Sequence, residues 1–373
     1  MRWSLLAALS ASPLVLSALA AFAAAPSSDP ARVSGPVTHE NLTVFFIHGT
    51  SAPGKAPLTL EEALAKRAVE VRETGNVNQL EIENSGNEPV FIQAGDIVKG
   101  GQQDRTLMVS LLLPPKSGRI PIASFCVEQG RWTARGREDT SQFSTASAAV
   151  PSREMKLAMK APMPAAPPAG GNADARIVGG NSASARIVRG NSAASETGER
   201  QAQVWESVRK TQAKLSGNVG SQVRSAQSAS SLQLALENEK LIDAQKGYGN
   251  ALKAAGESGD DIVGFIFAVN GELNSADVYP SNGLFRKMWS KLLTASVIEA
   301  IGHKDEPAVA APSIETVTAF LAAAENGKAS EKPLNAGVKL ETREADKAYL
   351  FETARAASPA SPASWVHRNY LAR

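Results

Sequence analysis

Two short polar stretches carry the residue types and spacings best suited to chemistry. Within 94–105 and 124–132, charged and amide side chains flank glycines beside apolar runs. Adjacent glycines let a backbone bend sharply and present its amides, while cations and amides hydrogen-bond anionic or carbonyl-rich ligands. The pattern predicts a binding site made of Asp96, Lys99, Gln102, Gln103, Arg105, Glu128 and Arg131. The alternative is a pair of charged turns whose ions pair with one another.

Four residues of these stretches are candidates for catalysis. Cys126 would act as a thiolate nucleophile with Glu128 or His48 nearby, and Asp104, Glu128 or Asp96 would act as a general base, which would make a hydrolase. The alternative is structural. Free cysteine is among the most buried residue types, and Glu128 can pair with Arg131 across the turn while Trp132 stacks on a guanidinium.

Other motif matches are incomplete. His48-Gly49 after an apolar strand resembles the oxyanion turn of α/β-hydrolases, but the chain has no Gly-x-Ser-x-Gly elbow. Residues 49–55 have the glycine and lysine spacing of a phosphate loop, but Ala56 stands where Mg²⁺ requires a hydroxyl. The histidines at 39, 48, 303 and 367 lack metal-ligand spacing. The sequence therefore predicts no metal and no cofactor.

The two stretches resemble the ARG and rhodanese-phosphatase-superfamily-associated protein domain family. The likeness lies in a Gly-Gly-x-Gln-x-Arg turn, matched by residues 100–105, and a Cys-Val-Glu-x-Gly-Arg-Trp run, matched by residues 126–132. A third likeness runs from Val263-Gly264-Phe265 through Asn270-Gly271 and Asp277 to residues 284–293. The resemblance covers about residues 40–371 and implies membership of a family without an established reaction.

The elements that must position these stretches form two parts of one α+β domain. Between 37 and 143, short apolar runs broken by Gly, Pro and Asn are typical of strands. Strands are predicted at 44–47, 80–83, 89–92, 107–113 and 120–127, with a hairpin turn at 84–87. From 201 to 371, helical spacing begins at Gln201 and Gly283, a helix is predicted over 232–252, and a buried strand at 262–269 precedes the hairpin dipeptide Asn270-Gly271.

A segment rich in Ala, Ser, Pro and Gly separates the two parts. Residues 175–184 are nearly repeated at 185–194, without the large apolar side chains that a packed repeat would bury. We expect residues 144–200 to be a disordered linker.

Composition and the N-terminus limit the functional classes. The 39 basic and 37 acidic residues give a net charge of +2, too small to favour nucleic-acid binding, and one cysteine cannot form an internal disulfide. Residues 1–25 carry Arg2, an apolar stretch and two small-x-small sites ending at Ala23 and Ala25. This pattern predicts a cleaved signal peptide and a soluble periplasmic or secreted protein, with an uncleaved anchor as the alternative.

The leading hypothesis is an exported protein that binds a small polar or anionic ligand, or a partner, through the two stretches. A hydrolase using the acidic residues or Cys126 is the second hypothesis, and a structural envelope protein is the third.

Overall fold

The computed structural model describes residues 32–131, 133–135, 140–162, 192–334, 337–355 and 364–373. The predicted signal peptide, the centre of the predicted linker and Trp132 lie outside these residues.

The largest sheet is antiparallel and has eight strands. Its spatial order is β1 (Arg32–His39), β2 (Leu42–His48), β12 (Ile262–Val269), β13 (Glu272–Val278), β17 (Ser364–Ala372), β16 (Ala348–Arg355), β15 (Val338–Glu344) and β14 (Lys328–Pro333). The first two strands thus join strands that lie more than 200 residues later in the chain. Residues on both sides of the predicted linker build one sheet.

Two smaller sheets share a second apolar core. The six-stranded sheet has the order β11 (Phe143–Ala149), β7 (Asp96–Gly100), β8 (Arg105–Leu107), β10 (Arg119–Cys126), β5 (Gln79–Asn84) and β4 (Val69–Glu73). The three-stranded sheet has the order β3 (Leu58–Thr59), β6 (Val90–Ile92) and β9 (Leu111–Leu113). Each of these strands contributes buried apolar side chains to the shared cluster.

Helices cover both faces of the eight-stranded sheet. The helices of the described residues are α1 (Leu60–Ala65), α2 (Arg153–Lys160), α3 (Ser192–Val219), α4 (Leu232–Leu236), α5 (Glu239–Glu257), α6 (Asn282–Gly302) and α7 (Ile314–Glu325), of which α1 packs against the two smaller sheets instead. Phe265 packs against Trp289 of α6, whereas Ile266 joins the cluster of Val317 and Leu321 of α7. Successive side chains of β12 point to opposite faces, so burial on both sides explains its uninterrupted apolar sequence. No helix among the described residues is long and apolar enough to cross a membrane.

The structure confirms the α+β class and the best-marked elements. The Asn270-Gly271 hairpin joins β12 and β13, and both turn residues have the positive φ that such a turn requires, +52° and +84°. The predicted strand at 107–113 is two strands, β8 and β9, and the predicted helix at 232–252 is α4 followed by α5.

The predicted hairpin at 84–87 is wrong. Strand β5 pairs with β4 and β10, whereas β6 pairs with β3 and β9 in the other sheet. The Asn84 side chain is fully buried, donates to the carbonyls of Glu88 and Pro114, and accepts from the Gly86 amide. Asn and Gly specify a local bend, but they do not specify which strands pair beyond it.

The predicted linker is too wide at both ends. Residues 143–149 form β11, residues 153–160 form α2, and α3 begins at Ser192 instead of Gln201. Met155 and Met159 bury the inner side of α2. The many small residues around these two methionines give the sequence no clear helical pattern. Residues 163–191 lie outside the described residues.

Candidate functional site

The two polar stretches are neighbours in the six-stranded sheet. Arg105 on β8 pairs with Cys126 at the end of β10. The bend after β7 contains Gly100 and Gly101, with φ of +120° and +54°. A Cβ on Gly101 would lie 2.1 Å from the Phe143 ring. The bend therefore requires glycine for both conformation and space.

Three ions from these stretches and Arg135, which follows the second stretch, form a closed, buried cluster. Asp104, Glu128, Arg131 and Arg135 are each more than nine-tenths buried. The two terminal nitrogens of Arg135 donate to the two oxygens of Asp104, each at 2.8 Å, and Arg131 Nε lies 2.7 Å from Glu128 Oε2. Asp104 also accepts from the Gly100 amide. Two carboxylates and two guanidiniums thus neutralise one another inside the protein.

Arg105 is held by a second set of contacts beside this cluster. Its Nη1 donates to Gln103 Oε1 at 2.8 Å and to Cys126 Sγ at 2.7 Å, and its Nη2 lies 3.4 Å from Glu73 Oε2. Gln103 in turn donates to the carbonyl of Glu128. The side-chain amide of Gln103 and both terminal nitrogens of Arg105 are thus already bound within the protein, and Arg105 Nε alone of these groups has no hydrogen-bond partner among the described residues.

Solvent reaches only the edge of this region. A depression of about 390 Å³ is lined by Arg131 and Arg135, but not by Gln103, Arg105 or Glu128. The geometry favours the structural alternative for the two stretches, in which the charged turns stabilise the fold.

Cys126 has the environment of a buried structural residue. Burial raises the pKa of its thiol to about 11, although the nearby Arg105 favours the thiolate. His48 contacts Ser34 and Asp261 instead of Cys126. At neutral pH the group is therefore a thiol, which argues against the nucleophile hypothesis.

The remaining predicted ligand-binding residues do not come together. Asp96 lies 3.1 Å from Lys291 of α6, and Lys99 lies 2.7 Å from Glu237 after α4. Gln102 is exposed, and its backbone amide donates to Glu73.

A larger cleft, of about 490 Å³, lies on one face of the eight-stranded sheet. Its sheet side consists of residues that share this face by strand alternation and register: Leu340, Thr342, Phe351, Thr353, His367 and Asn369. Helices α2 and α3, strand β10 and the segment between β8 and β9 line the opposite side. The cleft thus collects side chains from both ends of the chain.

A serine, a histidine and an aspartate lie in a row at this cleft, and a hydrogen bond joins the serine to the histidine. Ser110 Oγ lies 2.9 Å from His367 Nδ1, and His367 Nε2 lies 3.1 Å from Asp277 Oδ1. Asp277 on β13 pairs with Asn369 on β17 and accepts from its side-chain amide at 3.0 Å. Ser110, His367 and Asp277 are 2 %, 2 % and 4 % exposed.

The imidazole of His367 is fixed in place by two aromatic rings. Tyr279 stacks on it with centroids 5.0 Å apart, and Phe91 contacts it edge-on at 5.8 Å. Burial lowers the pKa of His367, although the Asp277 carboxylate favours its protonated form. The pKa of Asp277 is itself held low by His367 and by Lys156 and Lys160 despite burial. A neutral imidazole therefore faces an ionised carboxylate at neutral pH.

Lys160 brings a cation to the same cleft. Its Nζ donates to Asn369 Oδ1 at 2.7 Å and lies 5.4 Å from the centre of the Phe351 ring. Burial lowers the pKa of Lys160 to about 8, partly opposed by Asp277. Lys156, one helical turn earlier, also has a lowered pKa for the same reason. Because burial disfavours the charged form of Lys160, an anionic group that enters the cleft would stabilise this ammonium.

The sequence does not indicate this cleft. The spacing of His367 from the other histidines forms no motif, Asp277 belongs only to the family resemblance, and Ser110 belongs to no motif. Ser110 and His367 are 257 residues apart, and only the strand order brings them together. Among the described residues, no group of three or more His, Cys, Asp or Glu side chains is arranged to hold a metal ion.

Comparison with known proteins gives one match. The family model of the ARG and Rhodanese-Phosphatase-superfamily-associated Protein domain matches residues 30–371, almost the whole chain. No curated protein and no solved structure matches the chain.

Proposed function

We propose, for a chain that belongs to the ARG and Rhodanese-Phosphatase-superfamily-associated Protein domain family, that it binds a small molecule with an anionic oxygen in the cleft on the eight-stranded sheet. The observation that carries this proposal is the Lys160 ammonium, which lines the cleft beside the buried Asn369 and His367. A carboxylate or a similar oxyanion is the natural partner of a partly desolvated ammonium.

The charges around the cleft support an anionic ligand. Asp96 is neutralised by Lys291 at 3.1 Å. Asp277 acts on both Lys156 and Lys160, and Glu299 also acts on Lys156, but neither lysine has a carboxylate within ion-pair distance among the described residues. An incoming anion would give Lys160 the ion-pair partner that it lacks among these residues.

The walls of the cleft support a ligand with an apolar body. Met108, Phe125, Met159 and Leu340 line it, together with the charged residues Glu196, Arg200, Glu331 and Lys332, of which Arg200 pairs with Glu196. A largely apolar cavity with a few polar groups at one end is the usual form of a small-molecule site. A short aliphatic or aromatic carboxylate fits this chemistry.

The test is a thermal-shift series with acetate, butyrate, hexanoate and benzoate against the purified full chain. Binding to the folded state raises its stability by about 2.7 kcal/mol at a ligand concentration one hundred times Kd. We expect hexanoate or benzoate to raise Tm more than acetate, because the apolar walls contribute to binding. Hexanamide, which lacks the charge, should give a smaller shift.

Two lysine variants locate the site. Lys160→Met should lose the carboxylate-dependent shift, whereas Lys99→Met, which removes the same charge from the predicted binding stretch, should retain it. A shift that survives Lys160→Met but disappears in Lys99→Met would move the binding site back to the two polar stretches. No shift with any of the carboxylates would contradict ligand binding of this class.

We also propose that residues 1–25 direct export, on the basis of the basic start, the apolar stretch and the small residues before Ala25. Cell fractionation with N-terminal sequencing tests it: an exported chain begins after Ala23 or Ala25. A cytoplasmic chain that retains Met1 would contradict this proposal without affecting the ligand proposal.

A further inference from the structure

We infer that the cleft is also a catalytic site for acyl transfer to water, in which Ser110 is the nucleophile, His367 is the general base and Asp277 positions the imidazole. This inference rests on the proposed function in one respect, namely that a small molecule enters the cleft. It adds a reaction and a substrate class, esters of small carboxylic acids.

The hydrogen-bond directions around Ser110 are those that a nucleophile requires. The backbone amide of Ala94 donates to Ser110 Oγ at 2.9 Å. An N–H group can only donate, so the oxygen accepts there and its own hydrogen is available to His367 Nδ1, 2.9 Å away. Ser110 thus directs its proton at a base and is one of the residues that line the cleft.

The protonation of His367 follows from its other partner. His367 Nε2 lies 3.1 Å from Asp277 Oδ1 without hydrogen-bond geometry, and a carboxylate this close favours the neutral tautomer whose proton is on Nε2. Nδ1 then carries the lone pair that faces Ser110. The same roles operate in serine hydrolases of unrelated folds, recognised by geometry and not by sequence position.

The reaction balances with water as the second substrate. Ser110 Oγ attacks the ester carbonyl carbon, its proton passes to His367 Nδ1, and the positive Lys160 on the same cleft offsets the charge that develops on the carbonyl oxygen. The imidazolium then returns that proton to the departing alkoxide, which leaves an acyl group on Ser110. Water attacks this acyl group, and His367 transfers the water's proton to Ser110 Oγ as the acid leaves.

A second serine–histidine–aspartate chain provides an internal control. Ser34 Oγ lies 2.7 Å from His48 Nε2, and His48 Nδ1 lies 2.8 Å from Asp261 Oδ1. Ser34 lies on β1, His48 ends β2, and Asp261 precedes β12. None of the three lines the 490 Å³ cleft. The Asp261 side chain is 44 % exposed and also contacts Arg32. A serine–histidine hydrogen bond is therefore common to both sites, while the cleft distinguishes Ser110.

The direct test uses an alkyl fluorophosphonate, which forms a stable bond to an activated serine as fluoride leaves. Peptide mapping of the treated full chain should place the adduct on Ser110. Labelling should fall at least 100-fold in Ser110→Ala and be unchanged in Ser34→Ala. An adduct on Ser34, or none on either serine in the folded protein, would overturn the inference.

The pH profile separates a positioned base from a serine that is simply accessible. The titratable or charged groups facing His367 are Asp277 on β13, Asp96 on β7, Lys160 on α2 and Tyr279 after β13. Because burial lowers the pKa of His367, the labelling rate should rise with pH as the imidazole loses its proton. The rate should reach its plateau before the pH reaches 6.5. Asp277→Asn should slow labelling and change this profile while the near-ultraviolet circular dichroism stays native. A rate that follows hydroxide concentration throughout would contradict the role of His367.

Failure of this inference can be told apart from failure of the proposed function. Ser110→Ala retains Lys160 and should keep the thermal shift with hexanoate. Hexanoate binding without fluorophosphonate labelling would leave a binding protein and refute the nucleophile. Labelling of Ser110 without any carboxylate shift would support the nucleophile and refute the proposed ligand class.

Discussion

Replacing Glu128 by Gln tests whether the most marked sequence motif serves stability. Glu128 Oε2 accepts from the Asp104 amide at 3.1 Å and lies 2.7 Å from Arg131 Nε, and Oε1 lies 3.5 Å from Arg135. The side chain is fully buried. Glutamine removes the charge and turns an NH₂ group toward these donors, so two guanidiniums remain with Asp104 as the sole carboxylate of the cluster.

The expected loss is large because the remaining charge is buried. Breaking a buried ion pair by removing one partner costs about 3–5 kcal/mol. Glu83→Gln is the matched control, since Glu83 lies 3.8 Å from Arg119 with their side chains 33 % and 58 % exposed. An exposed pair of this kind contributes about 0–1 kcal/mol.

Urea unfolding followed by far-ultraviolet circular dichroism measures both variants. With a slope of about 3 kcal/mol per molar urea, the Glu128→Gln midpoint should fall by roughly 1–1.7 M, whereas that of Glu83→Gln should move by less than about 0.3 M. Equal midpoints for the two variants would refute the structural role of the cluster. A stable Glu128→Gln protein that lost ligand binding would restore the original binding hypothesis for this stretch.

Three further outcomes follow from the geometry. Gly101→Ala should destabilise the fold by more than Gly118→Ala in the same urea assay, because both positions have positive φ but only at Gly101 does a Cβ meet another residue, the Phe143 ring at 2.1 Å. Equal losses would contradict the steric argument. Cys126 should not react with iodoacetamide at pH 7.5 until the protein is unfolded, since burial raises the pKa of its thiol to about 11; rapid native labelling would contradict this. Because the pKa of Lys160 is lowered to about 8 from 10.5, the unfolded state binds more protons between those values, so its contribution makes stability rise with pH from about 8 to 10.5. Carboxylate affinity should fall over the same range, and Lys160→Met should abolish this fall; an affinity independent of pH would refute the ammonium's role.

The separation of the two polar regions changes how the family motif is understood. In this chain the glycine bend and the Cys-Val-Glu run hold a buried ion cluster, in which each guanidinium lies beside a carboxylate and the bend requires glycine. The groups best placed for chemistry lie elsewhere, in residues that are individually unremarkable. A distinctive motif can therefore mark a demanding structural environment.

Local chemistry made several elements predictable. Asn270 and Gly271 adopt positive φ at low cost, so the hairpin between β12 and β13 follows from the dipeptide and its apolar flanks. Helix α6 begins near the predicted Gly283 because its apolar residues recur at helical spacing. The turn at 84–87 could not be resolved in the same way, since strand pairing depends on partners distant in sequence.

The sequence by itself determined the α+β class, the main strands and helices, and the two glycine-kinked charged stretches, because short-range periodicity and turn conformations depend on neighbouring residues. Only the tertiary structure decided that those charges neutralise one another, and that Ser110, Asp277 and His367 meet at a cleft. The register of β13 against β17 places Asp277 opposite Asn369, and alternation along β17 places His367 on the same face. This arrangement depends on the pairing of strands about 90 residues apart and on the packing of the segment with Ser110 against them. No local sequence pattern indicates it.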